Sequence, residues 1–399
     1  MKRIAFALAL TLVLSTQAFA DPPLERYIVH TDGTPAVNDA VRRGAEGHGG
    51  VVLKEFAAGS GVVVLIPSHA RGPMAGIEGV AGVEPDVLLH AVKPPDGRGK
   101  PPKDPPPQPD QALPWGIDRI DADLVSVDAS GVNIAIIDTG IDADHEDLSV
   151  AGGVNFVGGK GRRRKVDPSK WGDDHGHGTH VAGTAAALDN GIGVVGAAPG
   201  ASMWAVKVLN SNGSGYLSAI IDGIIWATDN GMDIVNMSLG IEKGVLDQFP
   251  LDRQALQDAV IYAYDSGVVV VAAAGNEGPG EDTVIYPARF SSVIAVAATD
   301  SSDARAWFSS TGDAVELAAP GVGTLSTWND GLYNTIQGTS MASPHVAGTA
   351  ALVIAAGAAE TNVEVRSLLV ATADSIGDPA DFGFGLVDAE QAATGIETP

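Results

Sequence analysis

Cysteine is absent from all 399 residues, so no disulfide framework holds this fold, and stability must come from core packing and bound ions. Positive charge is scarce. With 24 Lys and Arg against 49 Asp and Glu, the formal net charge is −25, which argues against nucleic acid or an anionic membrane as a partner. Beyond residue 20, no stretch is long and apolar enough to span a bilayer. What is present is a large apolar fraction, 45%, enough to bury a sizeable core over two or three domains.

The chain opens Met1-Lys2-Arg3, continues with an apolar run from Ile4 to Leu14, and reaches Ala18-Phe19-Ala20. This is the pattern of a secretory leader cut after Ala20, and the expected location is extracellular. Residues 21–93 read as a small α+β unit. Strands are expected at Tyr27–His30, Val51–Phe56, Val62–Pro67 and Val87–Val92, with helices at Ala36–Gly47 and around Gly72–Gly79. That βαββαβ order suggests a ferredoxin-like fold. Residues 94–110 are crowded with proline and read as a semi-rigid linker, with an SH3-type ligand as the weaker alternative.

Three motifs carry chemistry. Gly338-Thr339-Ser340 leads through Pro344 into a run of Ala, Val, Leu and Ile, which reads as a buried helix entered by a sharp turn. A serine at such a helix start lies beside unsatisfied N–H groups, which suits a nucleophile whose reaction creates an oxyanion. Taken alone, Ser340 reads equally well as an N-cap. Ile134-Ala135-Ile136-Ile137-Asp138 is an apolar strand ending in a carboxylate, and His175-Gly176-His177-Gly178-Thr179-His180 is a glycine-rich turn entering a helix. Asp, His and Ser in that chain order form one of the convergent triad patterns.

From about Gln111 to Ala393 the sequence resembles the subtilases (peptidase S8), subtilisin-type serine endopeptidases. The fold this implies is α/β, a doubly wound, mostly parallel sheet flanked by helices. The residues agree. Near-continuous apolar runs at Val132–Asp138, Ala201–Leu209, Ile234–Met237, Val268–Ala273, Val293–Ala297 and Val315–Ala318 read as strands buried on both faces. Polar candidates cluster at strand ends and helix starts, where such sheets hold ligands.

The resemblance assigns Asp138, His177 and Ser340 as the triad and Asn276 as the side-chain donor to the oxyanion. A metal reading of His175, His177 and His180 lacks a recognisable ligand pattern. By the same resemblance, Gly213, Ser214 and Gly215 and then Ser238, Leu239 and Gly240 form the two edges between which a peptide lies. Ala273, Ala274 and Gly275 would wall the pocket for the residue before the scissile bond, with Glu277 at its rim. Small walls suit large apolar side chains, and Glu277 leaves room for a basic one. Ile285 stands where the family often has glycine, implying a shallower pocket. The Tyr286-Pro287 bond is expected to be cis.

The resemblance also implies a calcium ion held by the side chains of Gln111, Asp147 and Asn190 and the carbonyls of Leu188, Ile192 and Val194, a hard oxygen shell. The unit at 21–93 would be a propeptide that inhibits the enzyme until it is cut off ahead of Gln111, leaving a catalytic domain at 111–399. Arg162-Arg163-Arg164-Lys165 reads as a solvated loop or, alternatively, a nicking site. Gly383 to Ala389 resembles the family's closing segment, so no appended domain is expected. Partners are protein or peptide substrates and the chain's own propeptide, and a monomer is expected. The competing function is a catalytically inactive subtilase fold used as a scaffold.

Overall fold

The fold is described by a computed structural model covering residues 23–56, 61–92, 110–158, 166–241 and 253–396. The expected leader, the linker except Asp110, and the Arg162–Lys165 segment lie outside the described residues. Among the described residues no helix is long and apolar enough to cross a membrane.

The N-terminal unit comprises β1 (Leu24–Thr31), α1 (Pro35–Gly47), β2 (Val51–Glu55), β3 (Gly61–Pro67), α2 (Arg71–Ala75) and β4 (Val80–Pro85). Its antiparallel sheet runs in the order β2-β3-β1-β4. Side-chain alternation divides its faces. Tyr27, Val29, Val62, Val64 and Ile66 pack under Val41 and Ala45 of α1 and Met74 of α2, while Ile28 and Val63 join the core of the larger unit.

One expectation is corrected here. The strand that completes this sheet is Val80–Pro85, not Val87–Val92. The chain leaves the sheet at Asp86, whose buried carboxylate accepts from Arg26 (2.6 Å) and from the Ser218 backbone N–H (2.9 Å). It then forms β5 (Leu88–Ala91) on the larger unit. Leu89 and Ala91 are buried in that unit's core; the apolar run 87–92 was legible as a strand, whereas 80–85, with Gly82 inside it, was not.

The larger unit is built on a seven-stranded sheet in which every pairing is parallel. The strands are β6 (Asn133–Asp138), β7 (Val150–Asn155), β8 (Ser202–Lys207), β10 (Ile234–Met237), β12 (Val269–Ala273), β13 (Ile294–Thr299) and β14 (Leu317–Pro320), ordered β14-β13-β12-β10-β6-β8-β7. Ile134, Ile136, Val269 and Val271 face one core, and Ala135, Ile137, Val270 and Ala272 face the other. Burial on both faces explains the uninterrupted apolar runs.

Strand β7 was not legible in sequence because glycine interrupts it. The notch at Gly152 is filled by the Trp204 ring, which a Cβ would approach to 2.7 Å, and the one at Gly153 is filled by Trp171 at 2.6 Å. Strand order reverses at β6, so Asp138 ends a strand at the switch point where open α/β sheets bind ligands. The Tyr286–Pro287 bond is cis.

Candidate active site

His177 is the first residue of helix α4 (His177–Ala186), and Gly176 before it has φ 105°. A Cβ on Gly176 would lie 2.3 Å from the Trp328 ring, so only glycine allows this turn. His177 Nδ1 lies 2.8 and 3.0 Å from the Asp138 carboxylate oxygens, and the Thr139 N–H donates to Asp138 Oδ1 at 2.7 Å. Both residues are buried. Burial opposes charging of the His177 ring, but the Asp138 charge and hydrogen bond prevail and raise its pKa.

The neighbouring histidines differ. His180 Nε2 bonds the carbonyls of Thr324 and Asn334, and burial, with His177 nearby, pushes its pKa down to about 3. His175 Nδ1 accepts from the His177 N–H at 3.3 Å. Of the three, His177 alone has a carboxylate hydrogen bond, and no group of three or more His, Cys, Asp or Glu among the described residues is arranged to hold a metal.

Ser340 is the second residue of helix α7 (Thr339–Ala355), entered through Gly338 at φ 154°, ψ 162°. Pro344 lies within the helix and lacks the N–H that would bond the Ser340 carbonyl. Ser238 Oγ supplies that bond instead, at 2.9 Å. The Asn276 Oδ1 atom is held by the Thr339 N–H and hydroxyl, both at 3.0 Å, which turns the amide nitrogen toward the cleft.

The two predicted peptide-binding edges hold a strand, and it is the chain's own. β5 pairs antiparallel with β9 (Ser214–Tyr216) on one side and β11 (Leu239–Gly240) on the other. The Ala91 N–H donates to Gly213 O at 2.9 Å, and the Val92 N–H to Ser238 O at 3.2 Å. The Ser340 hydroxyl lies 3.2 Å from Val92 O and 3.1 Å from Ser238 O. His177 Nε2, buried, has no hydrogen-bond partner among the described residues.

Val92 packs against Ala273 and Ile285, and a cavity of about 110 Å³ remains beside it, bordered by Gly240, Asn276 and Glu277. Gly275 packs against Ser310 and Ile285 instead of lining that cavity, its Cβ position 2.8 Å from Ser310 Oγ and 3.0 Å from Ile285 Cγ2. Ala274 is placed elsewhere: its side chain lies in the core, and it contributes only its carbonyl, which accepts from the Ile285 N–H at 2.9 Å. Sequence reasoning missed Val92 as a neighbour of the nucleophile. The available signal was its place as the last apolar residue before the prolines.

The six expected calcium ligands lie in one neighbourhood. Residues 110–112 bridge to Ile192 and Val194, Leu188 N–H donates to Asp147 O at 3.0 Å, and Asn190 Nδ2 to Glu146 O at 3.3 Å. Asp147 Oδ2 accepts from the Val194 N–H at 2.9 Å, while Oδ1, buried, has no hydrogen-bond partner among the described residues, with the Tyr333 hydroxyl close to the carboxylate. Burial pushes the Asp147 pKa up to about 6. A Cβ on Gly193 would fall 2.0 Å from the Tyr333 hydroxyl oxygen and 2.5 Å from Asp147 Oδ2, so glycine is what lets the loop pack this closely on both. An orphaned buried carboxylate oxygen in a carbonyl-rich loop suits a hard cation.

A family model described as the subtilase family matches residues 129–386. Subtilisin DY of Bacillus licheniformis is 49% identical over 288 residues, covering 71% of this chain and 99% of that protein. Subtilisin E of Bacillus subtilis (strain 168) is 40% identical over 405 residues, 98% of each chain. Subtilisin Savinase of Lederbergia lenta is 46% identical over 285 residues, 71% of this chain and 99% of that one.

Proposed function

The chain belongs to the subtilase family and is a subtilisin-type serine endopeptidase, and from this premise we propose that it is an exported, self-processing precursor that cuts its own Val92–Lys93 bond. The observation that carries the reading is the position of Val92, held by main-chain bonds between the two edges with its carbonyl oxygen 3.2 Å from the Ser340 hydroxyl.

The proposed mechanism starts from that geometry. The Ser340 hydroxyl leaves its two carbonyl acceptors and turns to the unpartnered Nε2 of His177. His177 takes the proton as Oγ bonds to the substrate carbonyl carbon, and Asp138 stabilises the imidazolium and holds its tautomer. The oxyanion is received by the Asn276 amide and the Ser340 N–H at the helix start. Collapse breaks the C–N bond, His177 returns its proton to the leaving amine, and water then hydrolyses the acyl-enzyme through the same base.

Residues 21–92 would act as the inhibitor. Two acidic residues of this unit meet helix starts of the catalytic unit. Asp86 accepts from Ser218 N–H at the start of α5 (Leu217–Asp229), and Glu84 from Arg253 N–H before α6 (Gln254–Asp265). Lys54 is ion-paired with Asp222 of α5 in the same interface. Cutting after Val92 moves the expected boundary from 93 to 92 and leaves 93–110 on the enzyme.

Calcium is proposed at the 188–194 loop, held by Gln111, Asp147 and Asn190 side chains and the carbonyls of Leu188, Ile192 and Val194. Gln111 Oε1 now accepts from the Asn190 and Gly191 N–H groups and would have to turn inward. Bound there, the ion would neutralise the buried Asp147 carboxylate and clamp the segment at Gln111 to the loop.

The test of the catalytic reading is labelling with a fluorophosphonate. One equivalent should add to Ser340 with complete loss of peptidase activity, and His177→Ala should abolish labelling. An enzyme that turns over peptide at full rate while unlabelled overturns it.

A further inference from the structure

We infer that Ile285 restricts this protease to substrates with a small or β-branched aliphatic residue, of alanine to isoleucine size, before the scissile bond. The inference rests on the proposed function, since it reads Val92 as the residue in the specificity pocket.

Two glycines flank Ile285, Gly240 on the pocket wall and Gly275 beside it. Walls without side chains ordinarily leave a slot wide enough for a flat aromatic ring. Here that slot is filled from the floor. A Cβ at Gly240 would lie 2.3 Å from Ile285 Cδ1, and one at Gly275 would lie 3.0 and 3.1 Å from Ile285 Cγ2 and Cγ1. The Ile285 branches therefore occupy the space the two glycines vacate.

Ile285 is itself immobilised. It is 4% exposed, its N–H is bonded to Ala274 O at 2.9 Å, and β-branching restricts its χ1. Val92 makes its apolar contacts with Ile285 and Ala273. The remaining cavity, about 110 Å³, is lined by Gly240, Asn276, Glu277 and Ile285 together with His90, Ala91 and Val92 of the bound strand. A ring reaching past Val92's length would have to displace Ile285. A lysine could extend toward Glu277, but that residue is exposed, and water screens the attraction.

Discrimination by size in an apolar pocket is worth roughly 10–200-fold per methylene. The experiment uses the processed enzyme and a series of peptide anilides identical except for Ala, Val, Ile, Phe or Lys before the scissile bond. The wild type should show kcat/KM for Val or Ala at least about tenfold above Phe and Lys. Ile285→Gly should raise the Phe value at least about tenfold and lower the Val value.

A second arm avoids dependence on that variant's mature fold. Val92→Phe in the full-length precursor should process slowly, and the double variant Val92→Phe/Ile285→Ala should recover. A wild type that prefers Phe or Lys, or a Phe/Val ratio unmoved by Ile285→Gly, overturns the inference. So does a Val92→Phe precursor that processes at the normal rate. An enzyme that labels at Ser340 yet prefers Phe sinks only this inference, whereas absence of both labelling and hydrolysis sinks the catalytic reading beneath it.

Discussion

The Ser238 hydroxyl donates a 2.9 Å hydrogen bond to the carbonyl oxygen of Ser340, the acceptor that Pro344 leaves without its helical donor. Ser238 Oγ is also 2.9 Å from Ser343 Oγ and accepts from Asn236 Nδ2 at 3.1 Å. The turn that presents the nucleophile is thus tied to β10 and β11 by one buried hydroxyl.

Ser238→Ala should lower stability by about 1–3 kcal/mol, the usual cost of leaving a buried polar group unsatisfied. The measurement is denaturant unfolding in a Ser340→Ala background, which removes self-digestion. An unchanged midpoint would show that the bond contributes nothing.

Activity should fall as pH drops through the His177 pKa. Burial disfavours the charged ring, but Asp138 outweighs it and holds that pKa above the ordinary imidazole value. Catalysis needs the neutral base, so the acid limb of kcat/KM lies correspondingly high. Stability has the opposite sign, since a raised histidine pKa stabilises at low pH and that contribution is lost as pH rises through the folded value. Asp138→Asn should move the limb to lower pH and cut kcat by roughly 10⁴, as the same change does in another Ser-His-Asp triad by leaving the imidazole in the wrong tautomer. A limb that stays in place would remove Asp138 from this role.

Purified Ser340→Ala should remain an intact precursor, and the wild type should release a fragment whose mass ends at Val92. The basis is Val92 O at 3.2 Å from the Ser340 hydroxyl. Normal processing of Ser340→Ala with no other protease present, or a first fragment ending elsewhere, contradicts the assignment.

Calcium should bind before the cut. The Ala112 N–H already donates to Gly193 O at 2.8 Å while Val92 still occupies the cleft. Titration calorimetry on Ser340→Ala should therefore show one site, lost in Asp147→Ala, and chelation should lower its thermal midpoint. A precursor that ignores calcium, beside a processed enzyme that binds it, would show that cutting completes the site.

The residue pattern made most of the elements, and the chemistry at their ends, legible. Residue runs such as Ile134–Asp138 and Val269–Ala273 are buried on both faces, so local composition carried the strand signal, and motif residues followed at the carboxyl ends. It could not show β7, whose glycines make sense only against Trp204 and Trp171 from distant segments. Nor did it single out 80–85, which Gly82 interrupts, as the strand that closes the small sheet, with 88–91 left to lie in the cleft. Tertiary structure decided that through Asp86, whose carboxylate is satisfied only where Arg26 and the start of α5 meet. The same holds for the pocket. Gly240 is far along the chain from Gly275 and Ile285, and only packing reveals that the Ile285 side chain lies against both glycines.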